Sequence, residues 1–426
     1  MLKLYANILK KKEDTMKKFL FTAAIASMAF VSASAQSGIN QTTLWTFEQF
    51  QNDDNVASNV AVNYGNLYIV GHNETKYATI SSKSNSTFKF GDYTYYVNYY
   101  LNIPGNGLKG EDATSASSIK QDAVAFDATT AGTTYVAYVP SSAGRGIKPF
   151  FNGTEVTTAA SGSFTSSDTK SVSVAAFTNS GAGTVALTST GGSVNIYAVK
   201  FVPSSEAAAT KTVTLSKYGV ITFSDTHAWT IPEGLKVYYA SAIDKKGETL
   251  GLQEVTGSIP ACTGVILQGT ANAEYTLTST DAGSLERSAG KGIDFTYTLR
   301  PVISTDGYAL AATDLTTNTS KDPNHNYILA DGGDAPVFAP AAAGTIAAGK
   351  AYYSTRADKD TYVSTGASAS AKGISLPLDV TPTGINSVVA EGTNVKNQNA
   401  YNIAGQRIGK DYKGLVIING KKYIRK

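Results

Sequence analysis

Thr133-Thr134-Tyr135-Val136-Ala137-Tyr138-Val139 is an uncharged run dominated by β-branched and aromatic residues. In an extended chain successive side chains alternate sides, so Tyr135, Ala137 and Val139 share one face while Thr134, Val136 and Tyr138 share the other. Both faces are partly apolar, which suits a central strand in a two-sheet stack.

The same cadence extends outward in both directions. Strands are predicted over 66–70, 78–81, 88–90, 95–101, 123–126, 132–139, 147–151, 171–175, 183–188 and 194–201. Gly and Ser clusters separate them at the short, regular spacing of a sandwich. Composition agrees, with 25 Tyr, 39 Gly and only 16% charged residues in 426. The predicted fold class is therefore all-β, beginning with a jelly-roll-like β-sandwich over 37–204. A stretch with three consecutive Ala, 204–210, reads as a linker. A second β-rich module follows over 211–379, with turn signals such as Pro232-Glu233-Gly234 and Asp331-Gly332-Gly333-Asp334. The last piece, 384–426, is too short for its own core and reads as a small β-meander. Its strands at 414–418 and 421–425 flank Asn419-Gly420, a strong hairpin signal.

The first 35 residues read as an export signal. Lys17 and Lys18 precede an apolar run over 19–31, and Ala33-Ser34-Ala35 offers small residues for cleavage. Met16 opens a conventional signal by itself, so 1–15 read as an over-extended start. The apolar run falls short of the roughly 20 residues that span a bilayer, and no transmembrane anchor is expected after cleavage. Of the 36 basic and 33 acidic side chains, this segment holds six Lys and two acids, leaving 30 against 31. A near-neutral chain with scattered charges offers no continuous track for phosphates, which argues against nucleic acid. The lone Cys262 lies in an apolar stretch, so no disulfide framework exists and the thiol reads as a small buried side chain.

Three resemblances add to this. The tail Tyr401-Asn402-Ile403-Ala404-Gly405-Gln406-Arg407-Ile408, followed by Lys413-Gly414-Leu415-Val416-Ile417-Ile418-Asn419-Gly420-Lys421-Lys422, resembles the C-terminal sorting-type tail of secreted Bacteroidetes proteins. That resemblance implies recognition by the type IX secretion machinery and a destination on the cell surface or in the medium. Residues 211–379 resemble a β-module recurrent in such proteins, through Tyr218-Gly219-Val220-Ile221-Thr222-Phe223, Ile231-Pro232-Glu233-Gly234, Ile259-Pro260-Ala261-Cys262-Thr263-Gly264-Val265-Ile266-Leu267 and Gly344-Thr345-Ile346-Ala347-Ala348-Gly349-Lys350-Ala351-Tyr352. No settled biochemical role travels with that module. The first module, from Leu44-Trp45-Thr46-Phe47 to Asn195-Ile196-Tyr197-Ala198-Val199-Lys200, is similar in strand cadence to carbohydrate-binding β-sandwich domains.

No catalytic constellation stands out. His72, His227 and His325 are far apart, and no HExxH, Gly-x-Ser-x-Gly elbow or P-loop is present. No catalytic residues, metal ligands or cofactor are assigned. Glu74, Asp92, Glu111, Asp112 and Asp122 could supply a glycosidase pair but read as solvated turn residues. Asp53-Asp54-Asn55 could hold Ca²⁺ but reads as a turn. Aromatic residues are the stronger clue, because sugars stack C–H faces on rings and present hydroxyls to polar side chains. Tyr93, Tyr95, Tyr96, Asn98, Tyr99 and Tyr100 form one candidate ligand surface, with Tyr93, Tyr95 and Tyr99 on one side of the strand and Tyr96, Asn98 and Tyr100 on the other. Arg145 and Lys148, in a glycine-flanked segment, form a second. The expectation is a noncatalytic secreted or surface protein that binds glycan through its sandwich. The alternatives are a polysaccharide lyase or glycoside hydrolase, and an adhesive protein with protein partners.

Overall fold

The computed structural model describes residues 38–378, apart from 51–54, 57–60, 73–77, 244–248, 282–298, 313–324 and 356–373, together with five short strands between 389 and 425. The chain is all-β, built from several antiparallel sheets. The expected signal segment, Asp53, Asp54 and Glu74 lie outside the described residues.

The first half forms a β-sandwich. One sheet orders Ser161–Gly162, Ser173–Asn179, Gly132–Pro140, Val194–Pro203, Tyr93–Ile103, Ala78–Phe90 and Asn55–Val56, with Thr43–Thr46 also on Val194–Pro203. The other orders Thr154–Glu155, Arg145–Phe151, Gly183–Ser189, Ala123–Ala128, Leu67–Val70 and Val62–Tyr64, with Thr165–Ser166 on Arg145–Phe151. Gly132–Pro140 is indeed interior to its sheet, paired on both sides. The sheets meet through aromatic side chains: Trp45 lies 5.2 Å from Phe126 of the facing sheet, and Phe126 lies 5.3 Å from Phe201. All three are almost fully buried, and burying a side chain of this size contributes about 2–3 kcal/mol.

One loop expected from sequence is absent. Residues 82–87 join the two predicted strands on either side into Ala78–Phe90, which pairs with Tyr93–Ile103 as a long hairpin. Gly91, at φ +60°, opens its two-residue turn. The ladder is irregular between Ser82 and Ser86, and bulges of this kind bend the strand that carries them.

The second half contains a sheet of Thr210–Thr214, Glu274–Thr280, Ala228–Thr230 and Ser258–Ile259, and one of Val220–Phe223, Val265–Gln268, Lys236–Ile243 and Leu250–Glu254. A third orders Arg300–Pro301, Ala351–Thr355, His325–Asp331, Pro336–Pro340 and Ile374–Ser375, and Tyr308–Leu310 pairs with Gly344–Ile346. In the tail, Gly414–Ile418 and Lys421–Arg425 pair antiparallel, and Val389–Ala390 pairs in parallel with Lys421–Arg425.

Among the described residues no β-ladder joins the two halves, yet they share a core. Val302, Ile303, Tyr308 and Tyr352 of the second half belong to the same buried cluster as Trp45, Phe47, Phe50 and Tyr64 of the first. Gln49, wholly buried, donates to Ser304 Oγ (2.7 Å) and accepts from the amides of Ile303 (2.7 Å) and Ser304 (2.9 Å). Arg300 donates to the Phe50 carbonyl and to the Tyr99 hydroxyl. Tyr352 donates to the Gln49 carbonyl (2.8 Å). Gly65, at φ +58°, sits so close to the second half that a Cβ would lie 2.8 Å from Thr226 Cγ2 and 3.0 Å from the Ile303 carbonyl. The stretch read as a linker is fastened as well. Glu206 accepts from Thr42 N and Oγ1, and Ala209 N donates to Ser279 Oγ.

Candidate functional site

Tyr93–Ile103 alternates as its spacing predicts, with Tyr95, Val97, Tyr99, Leu101 and Ile103 buried. Tyr95 stacks on Phe88 at 5.5 Å, and Tyr99 carries the Arg300 guanidinium 4.7 Å above its ring. Asn98, on the other side, is buried too, and Glu48 accepts hydrogen bonds from its amide and that of Tyr99. Tyr95, Asn98 and Tyr99 are therefore withdrawn from solvent, while Tyr93, Tyr96 and Tyr100 remain half-buried.

Two structures cover this strip. The far end of the hairpin reaches the side of the sheet opposite Trp45: Phe90 lies 5.7 Å from Tyr135, and Lys200 Nζ donates to Tyr95 Oη at 3.3 Å. Lys200 stands between Val199 and Phe201, which face the sandwich core, so alternation puts it under this flap. Its ammonium lies 5.2 Å from the Tyr93 ring centre. Burial holds its pKa below the ordinary lysine value. The second cover is the other half of the chain, through Arg300.

The part left open is Tyr100 with its neighbours. Its ring is 5.2 Å from Tyr197, and two residues on, Asn102 Nδ2 donates to Asn195 Oδ1 across the ladder (2.7 Å). Tyr100, Asn102 and Asn195 are all half-exposed. The Asn pair was not singled out from sequence. Its signal was an Asn two residues past Tyr100 and a second Asn between Val194 and Ile196 in an apolar strand.

Arg145 and Lys148 belong to the other sheet. Lys148 pairs with Glu155 (2.9 Å) and lies over Phe150, on the side opposite buried Ile147. Arg145 is exposed, and its guanidinium passes over Gly192, where a Cβ would stand 2.1 Å from Nη1. Neither cation shares a surface with the tyrosines, because Arg145–Phe151 and Tyr93–Ile103 belong to opposing sheets.

Two histidine–carboxylate pairs form, His72 with Asp122 across 50 residues and His227 with Asp225 two residues away. His72 Nδ1 meets Asp122 Oδ2 at 2.6 Å, the imidazole about a third exposed and the carboxylate wholly buried. The Gly107 amide donates to the same oxygen, at 2.8 Å. His227 Nδ1 meets Asp225 Oδ1 at 2.8 Å, and Lys211 pairs with Asp225 Oδ2. His227 Nε2 lies 3.5 Å from Thr43 Oγ1, which resembles a nucleophile–base–acid line. Thr43 is wholly buried and donates to the Gln41 carbonyl (2.9 Å), so this line holds the halves together and has no route to substrate. Burial opposes ionisation of Asp225, but the bond from His227 and the charge of Lys211 outweigh it and hold the carboxyl at about 2. A depressed carboxyl contributes stability above its ordinary pKa that is lost as pH falls through the folded value. Guanidinium unfolding of the protein should lose about 2 kcal/mol between pH 4 and pH 2 from this group alone. Asp225→Asn should flatten that fall, and an unchanged slope would refute the assignment. Cys262, nearby, is wholly buried, its thiol pushed up to about 12 by burial, which suits packing and not nucleophilic attack.

A groove of about 430 Å³ opens in the second half between Val220–Phe223 and His325–Asp331. At one end the Tyr218 hydroxyl and Lys217 ammonium both bond the Asp331 carboxylate. Lys217, with Tyr218 and the Gly333 amide, holds that carboxyl down at about 2.

No protein-family model matches the chain, and no curated protein matches it. Among the described residues, no three His, Cys, Asp or Glu side chains converge as a metal site, and no helix is long and apolar enough to cross a membrane.

Proposed function

We propose that the protein is a noncatalytic glycan-binding protein that acts outside the cytoplasm, exported by its first 35 residues and carried onward through its sorting-type tail. The observation that supports binding is the half-exposed strip of Tyr100, Asn102 and Asn195. A ring offers a stacking face, and the Asn pair keeps one carbonyl and one amide beyond their mutual bond, the acceptor and donor that sugar hydroxyls require. Tyr96 lies on the same side of the strand and extends the surface. Glycan-array and affinity-gel experiments on the whole mature chain test this. Binding should weaken about tenfold in Tyr100→Ala, the scale of one lost ring contact. Uniformly blank results against plant, mucin and host glycans would refute it.

A polysaccharide lyase or hydrolase is the second reading, favoured by His72 and Asp122. A buried carboxylate bonded to Nδ1 orients a half-open imidazole as a general base. Release of reducing or unsaturated sugar ends by the purified chain, lost in His72→Gln, would select it.

A further inference from the structure

The groove between Val220–Phe223 and His325–Asp331 is apolar where it is open. Ile221, Ile328, Leu329 and Ile346 line it, and each is half-exposed. Val220, Thr222 and Ala351 line it too and are buried, so its floor is closed. Branched aliphatic side chains normally lie in a core. Leaving several of them together in contact with water has a cost that a ligand covering them recovers.

The polar groups deeper in the groove are already engaged with one another. The Tyr218 hydroxyl and the Lys217 ammonium bond the Asp331 carboxylate. Thr222 Oγ1 takes the Ala351 amide (3.2 Å), and Ser216 Oγ takes the Val220 amide (3.3 Å). A saccharide placed here would give up the hydration of its hydroxyls for few hydrogen bonds in return, and an extended peptide would do the same with its main chain. An apolar skeleton gives up nothing of the kind.

Two exposed groups at the rim remain for a ligand, Thr345 and Lys350, both on the connection that runs from Gly344–Ile346 to Ala351–Thr355. Lys350 has no carboxylate partner among the described residues, whereas Lys217 is occupied by Asp331. With Lys217 and Asp331 cancelling, Lys350 leaves the groove with a net positive charge, and charge complementarity asks for a single anionic group. The volume of about 430 Å³ falls in the lower part of the range found for small-molecule sites.

We infer that this groove binds a small amphiphilic acid, its apolar skeleton against Ile221, Ile328, Leu329 and Ile346 and its carboxylate at Lys350 and Thr345. The site is separate from the Tyr100 surface and does not rest on glycan binding.

The test is titration calorimetry of the whole mature chain with straight-chain acids from hexanoate to dodecanoate, each kept below its micelle concentration. Affinity should rise about threefold with each added methylene until the chain outgrows the groove. Decanol, which has no charge, should bind about threefold more weakly than decanoate. Lys350→Glu, at an exposed position, should leave the melting temperature nearly unchanged and reverse the preference, so that decylammonium binds better than decanoate. A photoreactive diazirine analogue of decanoate should label residues 328–331 or 345–350. Phosphatidylglycerol vesicles, which offer an anionic amphiphile in a bilayer, should not carry the protein down on sedimentation. Absence of binding by every acid, affinity indifferent to chain length, labelling confined to other parts of the chain, or a retained preference for decanoate in Lys350→Glu would overturn the inference. So would sedimentation with vesicles that Lys350→Glu abolishes, or self-association that decanoate disperses, since the occupant would then be a bilayer lipid or a second copy of the chain.

Discussion

Arg300→Ala is expected to lower the stability of the whole chain by about 3–5 kcal/mol, the cost of removing one member of a buried charged network. Arg300 is only 8% exposed, and its guanidinium bonds the Phe50 carbonyl and the Tyr99 hydroxyl while lying over the Tyr99 ring. Glu48, 6% exposed and bonded to the amides of Asn98 and Tyr99, lies within its electrostatic reach. Truncation leaves that carboxylate in a buried setting without its compensating cation and opens a gap between the halves. Arg145→Ala is the control, since exposed side chains away from such networks usually change stability by less than about 0.5 kcal/mol. Equal guanidinium midpoints for the two variants would show that Arg300 does not join the halves.

Trp45→Ala should cost a similar amount, about 3–5 kcal/mol, through the cavity left by a large core side chain. Trp45 is wholly buried, lies against Phe126, and donates from Nε1 to the Gly65 carbonyl (2.7 Å). The chain has two tryptophans, so the variant leaves Trp229, in the second half, as the only indole reporter. If the halves unfold as one body, Trp229 fluorescence should follow the lowered midpoint even though the substitution is in the sandwich. A Trp229 transition that stays at its wild-type midpoint would mean that the shared core does not couple them.

These effects bear on how much of the molecule was legible in advance. The long alternating strands were: 132–139 and 183–188 fall within Gly132–Pro140 and Gly183–Ser189, and the tail hairpin falls on its predicted bounds. Polar residues misled at 82–87, because a Ser-rich run resembles a loop until a Tyr-rich partner strand is supplied. Thr43–Thr46 was too short to separate from its surroundings by alternation, though it places Trp45 in the core. Of the candidate ligand residues, the strand order put Tyr96, Asn98 and Tyr100 on one side correctly, but not which of them stays open. Asn98 is lost beneath Glu48, and Tyr95 and Tyr99 are taken by Lys200 and Arg300. The Asn102–Asn195 and His72–Asp122 pairs join residues that neighbour one another only after folding.

Side-chain alternation is a property of neighbouring peptide units, so the chain by itself determined its all-β character, its turns and the two sides of each strand. Exposure depends on what arrives from elsewhere. Arg300 reaches Tyr99 across 201 residues and Gln49 reaches Ser304 across 255, and no local pattern encodes such meetings. The tertiary structure alone decided that two separately paired halves share one core and which tyrosines face water.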